Sequence, residues 1–426
     1  MKVAFYTLGC KVNQYDTQMM VEKVKAANYQ ICSFNEKADI YIINTCTVTQ
    51  ISDKKSRNIA SRAKKANPDS IVVVCGCFSQ VAPDTVSALE KVDIVLGTKN
   101  RKDIVKYLEE YLINKSKIVD VTNEGGIDKE SITDFSEKTR AIIKIEDGCR
   151  NFCSYCLIPF ARGKIVSKKL DNIVAEATSL SNNGYKEIVL TGIHLSSYGI
   201  DLENIDLADA IIAVNNIDTV KRIRLGSLEP RIITSEFLAK VKDCDKLCPS
   251  FHLSLQSGCD TTLKNMNRKY TTAQYKQAVE LLRDNFKDCA ITTDIIVGFP
   301  GESDNDFNKC LEFAKEISFA KIHIFPYSIR KGTKAASMPD QIDKSIKTTR
   351  EKLLMEVEEN CRLNFNKSLI GKNLPVLVEQ LQNGIYTGFT PNYVSVSFKS
   401  EKALINEIVN VKVIDATATE LKCELI

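Results

Sequence analysis

Between residues 141 and 330 the sequence repeats one pattern: a short apolar run, a polar loop and, in most cases, a helical stretch. Short apolar runs suit strands buried in a parallel sheet, and amphipathic stretches suit the helices that cover it. The strand-like runs are Ala141–Ile145, Glu187–Leu190, Arg222–Leu225, Phe251–Leu255, Thr292–Val297 and Lys321–Phe325. The helical stretches include Asn172–Asn182, Thr272–Asn285 and Asp304–Ile317. The repeat predicts a partial (β/α)6 barrel, whose functional loops follow the carboxyl ends of its strands.

The first 118 residues alternate in the same way and predict a separate α/β domain with an open, mostly parallel sheet. Its strand-like runs are Val3–Leu8, Ile40–Asn44, Ser70–Val74 and Val92–Leu96, and Gln14–Ala27 has helical spacing.

Composition divides the remainder of the chain. Residues 119–140 are polar, contain a Gly-Gly pair and predict a linker. A charged helical stretch, Gln341–Asn366, follows the barrel, so we place the barrel with its trailing helix at 141–365. Residues 366–426 carry short β-rich runs separated by Gly and Asn, which predict a small antiparallel β-barrel. These runs are Leu374–Glu379, Tyr393–Phe398, Ile408–Ile414 and Glu420–Leu425.

The fifteen cysteines need a chemical explanation. The apolar start of the chain is too short for a signal peptide, and no stretch approaches the ~18 apolar residues of a membrane span, so we expect a cytoplasmic protein without membrane contact. A reducing compartment disfavours disulfides, and clustered cysteines there indicate metal ligands or catalytic groups. The net charge of +4 neither demands nor excludes a nucleic-acid partner.

One cysteine cluster lies directly after the first strand of the predicted barrel, where Cys149, Cys153 and Cys156 share one loop. A structural zinc ion would want a fourth ligand, which Cys244, Cys248 or a histidine could supply in space. A four-iron cluster held by three cysteines instead leaves one iron open to a small molecule. An open iron at the catalytic end of a barrel favours the iron–sulfur interpretation over the zinc site.

A second set of cysteines follows three strands of the N-terminal sheet. Cys10 comes after the first strand, Cys46 after the second, and Cys75 and Cys77 at the end of the third. The carboxyl ends of parallel strands share one edge, where ligands bind. We therefore expect these cysteines to converge on a second cluster.

Polar residues and glycines recur at the ends of the barrel strands. They are Thr191, Gly192, Ser227, Glu229, Gln256, Ser257 and Gly298. Such residues often only cap or turn loops, but their recurrence at successive strand ends favours a shared binding role. Of the three histidines, His194 follows its strand most directly and is the best candidate for a functional role; a structural role is the safer interpretation of His252 and His323.

The Cys-x3-Cys-x2-Cys loop resembles the signature of the radical S-adenosylmethionine enzymes. This resemblance implies that the open iron binds the amino and carboxylate groups of S-adenosylmethionine, and that an electron cleaves it to a 5′-deoxyadenosyl radical. It also implies that the strand-end residues above bind S-adenosylmethionine, with Thr191 and Gly192 near its amino group and Gly298 near its adenine.

The resemblance extends over nearly the whole chain to the methylthiotransferases. The motifs that carry it are 8–16 (LGCKVNQYD), 44–49 (NTCTVT), 76–80 (GCFSQ), 190–195 (LTGIHL), 265–268 (NMNR) and 325–328 (FPYS). It implies that Cys10, Cys46 and Cys77, and not Cys75, hold an auxiliary four-iron cluster. It also implies that 366–426 is a TRAM module that binds RNA.

The family implies two [4Fe-4S] clusters, S-adenosylmethionine, a tRNA substrate and an external electron donor. We expect Arg162, Lys164, His194 and Arg268 to contact the substrate. The terminal domain carries six lysines and six acidic residues, so it is not a basic arm. Stacking of RNA bases on Tyr386, Phe389, Tyr393 or Phe398 is an alternative to RNA binding by positive charge.

The branches of this family differ in substrate. The 8–16 motif and the segment 192–199 (GIHLSSYG) look most like the branch that modifies N6-threonylcarbamoyladenosine 3′ of the anticodon in tRNA. The ribosomal-protein branch usually has proline where Lys11 stands. Two alternatives stay open: methylthiolation of N6-isopentenyladenosine in tRNA, and a non-catalytic iron–sulfur protein that binds RNA or senses redox state.

Overall fold

The computed structural model describes residues 1–47, 50–122, 124–128, 130–135 and 139–426. Val48 and Thr49 of the second methylthiotransferase motif, and parts of the predicted linker 119–140, lie outside the described residues. Within the described ranges, no helix is long and apolar enough to cross a membrane.

The N-terminal sheet has six strands in the order β2-β1-β3-β4-β5-β6, and all of its pairings are parallel. The strands are β1 (Lys2–Thr7), β2 (Gln30–Cys32), β3 (Ile40–Thr45), β4 (Ile71–Gly76), β5 (Ile94–Leu96) and β6 (Ile118–Asp120). The helices are α1 (Lys11–Ala26), α2 (Gln50–Ala66), α3 (Cys77–Val81), α4 (Pro83–Ser87) and α5 (Ile104–Asn114). The predicted parallel sheet is confirmed. The two short strands at its edges, β2 and β6, were not predicted because each has three residues and little apolar periodicity.

The central domain contains six parallel strands in two three-stranded sheets, β7-β10-β11 and β12-β13-β14. Isolated bridges such as Leu228 to Leu253 join the two sheets between β11 and β12. The strands are β7 (Arg140–Lys144), β10 (Glu187–Thr191), β11 (Arg222–Leu225), β12 (Ser250–His252), β13 (Ala290–Val297) and β14 (Lys321–Pro326), and the short pair β8 (Glu146–Asp147) and β9 (Val166–Ser167) lies beside them. This arrangement is the predicted partial (β/α)6 barrel.

Helices separate the barrel strands. They are α6 (Ile158–Arg162), α7 (Leu170–Asn182), α8 (Leu207–Asn215), α9 (Ser235–Val241), α10 (Asp260–Asn265), α11 (Thr272–Asn285) and α12 (Asp304–Ile317), and α13 (Lys344–Lys367) leads out of the barrel. Helix α12 illustrates how the sequence sets their starts. Ser303 and Asp306 form a reciprocal capping box at its N-terminus, and the apolar residues on one face, including Phe307 and Phe313, are buried against the barrel.

The C-terminal domain is a closed barrel of five strands in the order β15-β16-β17-β19-β18. The strands are β15 (Asn373–Gln382), β16 (Ile385–Phe389), β17 (Ser395–Lys399), β18 (Ile408–Ala416) and β19 (Leu421–Leu425). The pairing of β17 with β19 is parallel and the others are antiparallel, which corrects the expectation of a wholly antiparallel barrel. The parallel pair closes the barrel, and closure removes exposed strand edges.

The aromatic residues of this domain form two stacked pairs. Tyr386 and Phe398 stack on each other inside the small barrel and are 3% exposed, so they serve packing. Phe389 and Tyr393 stack at the contact with the central domain, where the guanidinium of Arg140 lies about 5 Å from both rings. Tyr393 is 40% exposed, so base stacking on this second pair stays a prediction.

A buried group of charges joins the N-terminal domain to the central barrel. Asp16 on α1 is fully buried and accepts contacts from Arg101 of its own domain and from two cations of the barrel. The Lys144 Nζ atom lies 2.6 Å from Asp16 Oδ1, and an Arg162 guanidinium nitrogen lies 3.1 Å from Oδ2. Asp147 lies 3.4 Å from the same nitrogen of Arg162. Burial opposes ionisation of Asp16, but Arg101, Lys144 and Arg162 outweigh it and lower its pKa.

Replacement of Asp16 with asparagine should destabilise the protein by roughly 3–5 kcal/mol, because three buried cations would lose their shared counter-charge. Since its pKa is lower in the folded state, the stability contributed by Asp16 is present at neutral pH and is lost as the pH falls through the acid range. Urea unfolding at pH 7 and at about pH 2.5, below the ordinary carboxyl pKa of 3.8, measures both effects. Asp69→Asn, at an exposed turn, is the control; an equal, small effect of both substitutions would contradict the expectation.

Candidate active site

The cysteine loop after β7 opens into a cavity at the carboxyl end of the barrel. Cys149, Cys153 and Cys156 all line this cavity of about 370 Å³, which is within the usual size range of small-molecule sites. The loop leaves the strand through Gly148, which has a φ of +106°. A Cβ atom at this glycine would lie 2.1 Å from the carbonyl oxygen of Lys164, so a side chain would displace the loop.

The thiols are not spaced for a single zinc ion. Among the residues that the structure describes, only His252, Asp294 and His323 bring three potential ligand atoms within 4.8 Å of one another. Neither cysteine set is that compact. A single zinc ion with Zn–S bonds of about 2.3 Å would hold its thiolates roughly 4 Å apart. The structure therefore disfavours a mononuclear zinc site at either cysteine set.

Burial also sets the protonation of these thiols. It raises the pKa of Cys149 to about 11 and that of Cys156 to about 12. Both would be protonated at neutral pH unless a metal stabilised the thiolate. One fixed donor already faces this loop, since a guanidinium nitrogen of Arg268 lies 3.2 Å from Cys153 Sγ. Arg268, predicted as a substrate contact, is thus placed beside the cysteine loop.

A hydrogen-bonded group on the wall of the cavity is joined to this loop through Asn151. The Nε2 atom of His194 lies 3.0 Å from Glu229 Oε2 and 2.9 Å from the side-chain nitrogen of Asn151. Ser197 Oγ lies 2.5 Å from Nδ1 of the same ring. Burial opposes ionisation of Glu229, but hydrogen bonds from His194 and Arg231 lower its pKa to about 2. The cavity therefore presents a fixed carboxylate, which suits a cationic ligand group.

The predicted strand-end residues fall into two groups. Ser227, Glu229 and Gln256 line the cavity together with His194 and Arg268. Thr191, Gly192, Ser257 and Gly298 are not among its lining residues in the described part of the chain.

Two members of the second group have identifiable packing roles. A Cβ atom at Gly192 would lie 2.5 Å from Glu146 Oε2, and this oxygen accepts a hydrogen bond from the backbone N–H of His194 at 2.7 Å. Ser257 is fully buried, and its hydroxyl accepts a hydrogen bond from the N–H of Cys259. Direct contact of these residues with S-adenosylmethionine stays a prediction.

The second cysteine set meets at the carboxyl edge of the N-terminal sheet. Cys10, Cys46 and Cys77 follow the adjacent strands β1, β3 and β4. A Cβ atom at Gly9 would lie 3.2 Å from Cys46 Sγ, and Cys77 interacts electrostatically with Cys10. The predicted convergence of these three cysteines is thus present in the structure.

Cys75 is separate from this group. It is fully buried in the apolar core with Tyr15 and Met19, and burial raises its pKa to about 12. Side chains alternate between the faces of a strand, and the turn at Gly76, with a φ of +98°, then directs the chain toward Cys77. Residues two apart would share a face of a continuing strand, so the end of β4 at Gly76 and the start of α3 at Cys77 separate the two cysteines.

Two cations predicted to bind the substrate have different positions. Arg162 is 1% exposed and bonds to Asp16, Asp147 and the side-chain oxygen of Asn13. We assign it to the joint between the domains, because both terminal nitrogens of its guanidinium bond there. Lys164 is exposed, and its contact with RNA stays a prediction.

A second cavity, of about 480 Å³, adjoins the first. Three residues, Ser227, Asp294 and Phe325, line both. Its other lining residues include Lys11, next to Cys10, and both remaining histidines of the chain, His252 and His323. The sequence analysis did not assign these residues to a site. The signal that could have found them is their position on inward-facing strands β12, β13 and β14, at alternating residues.

Family models match the three domains. A model described as an uncharacterised protein family, UPF0004, matches residues 2–97. The radical SAM superfamily model matches residues 143–314, and the TRAM domain model matches 367–426.

Curated relatives match nearly the whole chain. The Bacillus subtilis protein "Threonylcarbamoyladenosine tRNA methylthiotransferase MtaB" is 38% identical, over 97% of this chain and 94% of the relative. The Aquifex aeolicus protein of the same name is also 38% identical, over 94% and 98%. A "tRNA-2-methylthio-N(6)-dimethylallyladenosine synthase" from Alkaliphilus oremlandii is 36% identical, over 100% and 93%.

Solved structures share the fold at low identity. The radical S-adenosylmethionine methyltransferase TsrM from Kitasatospora setae superposes with a TM-score of 0.57 at 13% identity, over 79% of this chain and 75% of that one. The radical enzyme OxsB gives 0.54 at 12% identity, over 83% and 56%. These likenesses concern the fold alone.

The fold and the cysteine loop define a radical S-adenosylmethionine enzyme, a class that holds a [4Fe-4S] cluster and S-adenosylmethionine. Within that class, the chain belongs to the tRNA methylthiotransferase family.

Replacement of Arg268 with glutamine should lower the reduction potential of the cluster held by the cysteine loop. Loss of a positive donor next to Cys153 disfavours the more negative, reduced cluster. We expect a shift of roughly 50–100 mV, the equivalent of one hydrogen bond to a charged group. Potentiometric titration followed by electron paramagnetic resonance measures it. Lys269→Gln, on the neighbouring exposed residue, is the control, and equal potentials in both variants would contradict the expectation.

Proposed function

We propose that the protein converts N6-threonylcarbamoyladenosine, at the position 3′ of the tRNA anticodon, to its 2-methylthio derivative, the reaction of enzyme class 2.8.4.5. The observation that carries this proposal is the adjoining pair of cavities. One is lined by Cys149, Cys153 and Cys156, and the other by Lys11 next to Cys10. A nucleobase at their junction would lie between the cysteine loop of the barrel and Lys11, the neighbour of Cys10.

The proposal assigns one [4Fe-4S] cluster to Cys149, Cys153 and Cys156 and an auxiliary cluster to Cys10, Cys46 and Cys77. When bound, the first supplies the electron that cleaves S-adenosylmethionine, and the second supplies the sulfur that is methylated and transferred. The reaction therefore also needs an external electron donor.

The chain's own residues hold and shield the reacting groups. Glu229, fixed by His194 and Asn151, offers a carboxylate to the cationic part of S-adenosylmethionine. Backbone and side chains at the carboxyl ends of β11 to β14 enclose the cavity from the other side. Exclusion of water protects a reactive radical from competing hydrogen donors.

Nucleoside mass spectrometry of tRNA tests the substrate. Cells that carry the gene should contain 2-methylthio-N6-threonylcarbamoyladenosine, and cells from which it is deleted should contain the unmethylthiolated nucleoside instead. Loss of 2-methylthio-N6-isopentenyladenosine on deletion would favour the alternative substrate. No change in either nucleoside would contradict the enzymatic proposal.

Three cysteine variants separate the two cluster sites. Cys153→Ala should abolish release of 5′-deoxyadenosine from S-adenosylmethionine. Cys77→Ala should retain that release but lose about four iron atoms per chain, the content of one [4Fe-4S] cluster. Cys75→Ala is the matched control, because its thiol lies in the apolar core, and it should keep the full iron content. Iron loss in the Cys75 variant equal to that of Cys77 would refute the assignment.

A further inference from the structure

The second cavity has an unusual balance of charge. It lies where the N-terminal domain, the barrel and the C-terminal barrel meet, and four cations line it. These are Lys11, Arg224, Lys321 and Arg362. The only carboxylate among its lining residues in the described part of the chain is that of Asp294. The wall therefore carries an excess of positive charge.

Two of these cations already have acidic partners. Arg224 donates to Glu187 at 2.8 Å, and its guanidinium also contacts backbone carbonyls of the C-terminal barrel. Arg362 lies 3.2 Å from Glu358. Arg224 thus joins the central barrel to the C-terminal barrel, and Arg362 pairs within α13.

Lys11 and Lys321 differ from the two arginines. Both side chains are exposed within the cavity, and within the described ranges neither ammonium group has a carboxylate closer than 4 Å. Both act electrostatically on His323, which lies on β14 two residues after Lys321; burial and these lysines lower its pKa, whereas Asp294 raises it. Two unpaired ammonium groups facing one cavity favour an anionic ligand.

The compact group of His252, Asp294 and His323 suggests a different ligand, a divalent metal ion. His252 Nε2 lies 3.3 Å from Asp294 Oδ2, and the three side chains come from adjacent strands. However, Lys11 and Lys321 would repel a divalent cation, and one carboxylate does not offset them. The charges therefore favour an anion over a metal.

The chemistry of the proposed substrate supplies such an anion. In threonylcarbamoyladenosine a carbonyl group joins N6 of adenine to the nitrogen of threonine, which leaves the threonine carboxylate free. N6 and the reacting C2 atom lie on the same edge of adenine. With C2 at the junction of the two cavities, a substituent on N6 extends into the second one. An isopentenyl group would bring no charge to these lysines.

We propose that Lys11 and Lys321 bind the carboxylate of the threonylcarbamoyl group and so select this nucleoside over the isopentenyl one. The inference rests on the proposed function, because it takes the substrate from it. Ionic hydrogen bonds contribute about 1.5–3 kcal/mol each, so loss of the carboxylate charge should weaken binding about tenfold or more.

The first experiment uses the unaltered holoenzyme and two nucleosides. N6-threonylcarbamoyladenosine and its analogue with a threonine carboxamide are titrated by calorimetry with S-adenosylmethionine present. Binding of the carboxylate at least tenfold tighter than the carboxamide supports the inference, and equal affinities overturn it. Repetition with a chelator tests the metal alternative: loss of the preference would mean that a metal, and not the lysines, binds the carboxylate.

Variants then test the two lysines. The double variant Lys11→Gln, Lys321→Gln should bind both nucleosides with the same weak affinity, whereas Lys352→Gln, on the exposed face of α13, should keep the preference. A preference retained by the double variant overturns the assignment. Measurement of the iron content shows whether the double variant has lost a cluster. If it has, the single variant Lys321→Gln is used, because this residue is far in sequence from the cysteines. The single variant should still reduce the preference for the carboxylate, and an unchanged preference counts against the inference.

These outcomes are separate from those of the functional proposal. If deletion of the gene leaves threonylcarbamoyladenosine unchanged while the protein still prefers the carboxylate, the proposed reaction fails and the binding site stands. If the 2-methylthio product forms but carboxylate and carboxamide bind equally, the reaction stands and the role of the lysines fails.

Discussion

The arrangement of this protein depends on the buried carboxylate of Asp16. It follows Cys10 by six residues on α1, and its partners Lys144 and Arg162 flank the cysteine loop of the barrel. A buried charge is costly unless it is paired, so the two domains are held in the one orientation that satisfies all of its partners. The same contact therefore fixes the distance between the two cysteine sets. A reaction that uses both cysteine sets therefore depends on this one buried ionic contact for its geometry.

The interior between the domains is divided by charge. The cavity at the cysteine loop presents Glu229 and the thiols, which suit iron and a cationic ligand. The adjoining cavity presents Lys11 and Lys321, which suit an anion. Asp294 lies on the wall that the two share. A substrate with a neutral base and a negatively charged substituent would find a matching surface on each side of this wall.

Local patterns predicted the strands that carry the cysteines, because buried parallel strands are long apolar runs that need no distant information. The same reasoning missed β2, β6 and β16, which are short or have little apolar periodicity and are defined by their pairing with a neighbouring strand. It also placed Arg162 at the RNA. The local sequence around an arginine after a cysteine loop is the same whether the arginine is exposed or buried in an ion pair. Here the contact with Asp16, which is distant in sequence, shows that Arg162 is buried in an ion pair.

The sequence alone determined the cysteine loop, the parallel barrel and the family, since these depend on spacing and periodicity along a continuous segment. It also indicated that Cys10, Cys46 and Cys77 converge, because parallel strands share their carboxyl edge. Only the tertiary structure decided which charges are neutralised and which stay available. Arg224 and Arg162 have partners, and Lys11 and Lys321 do not, within the residues described. The pairing of charged side chains depends on distances between segments far apart in the chain, and these distances cannot be obtained from composition.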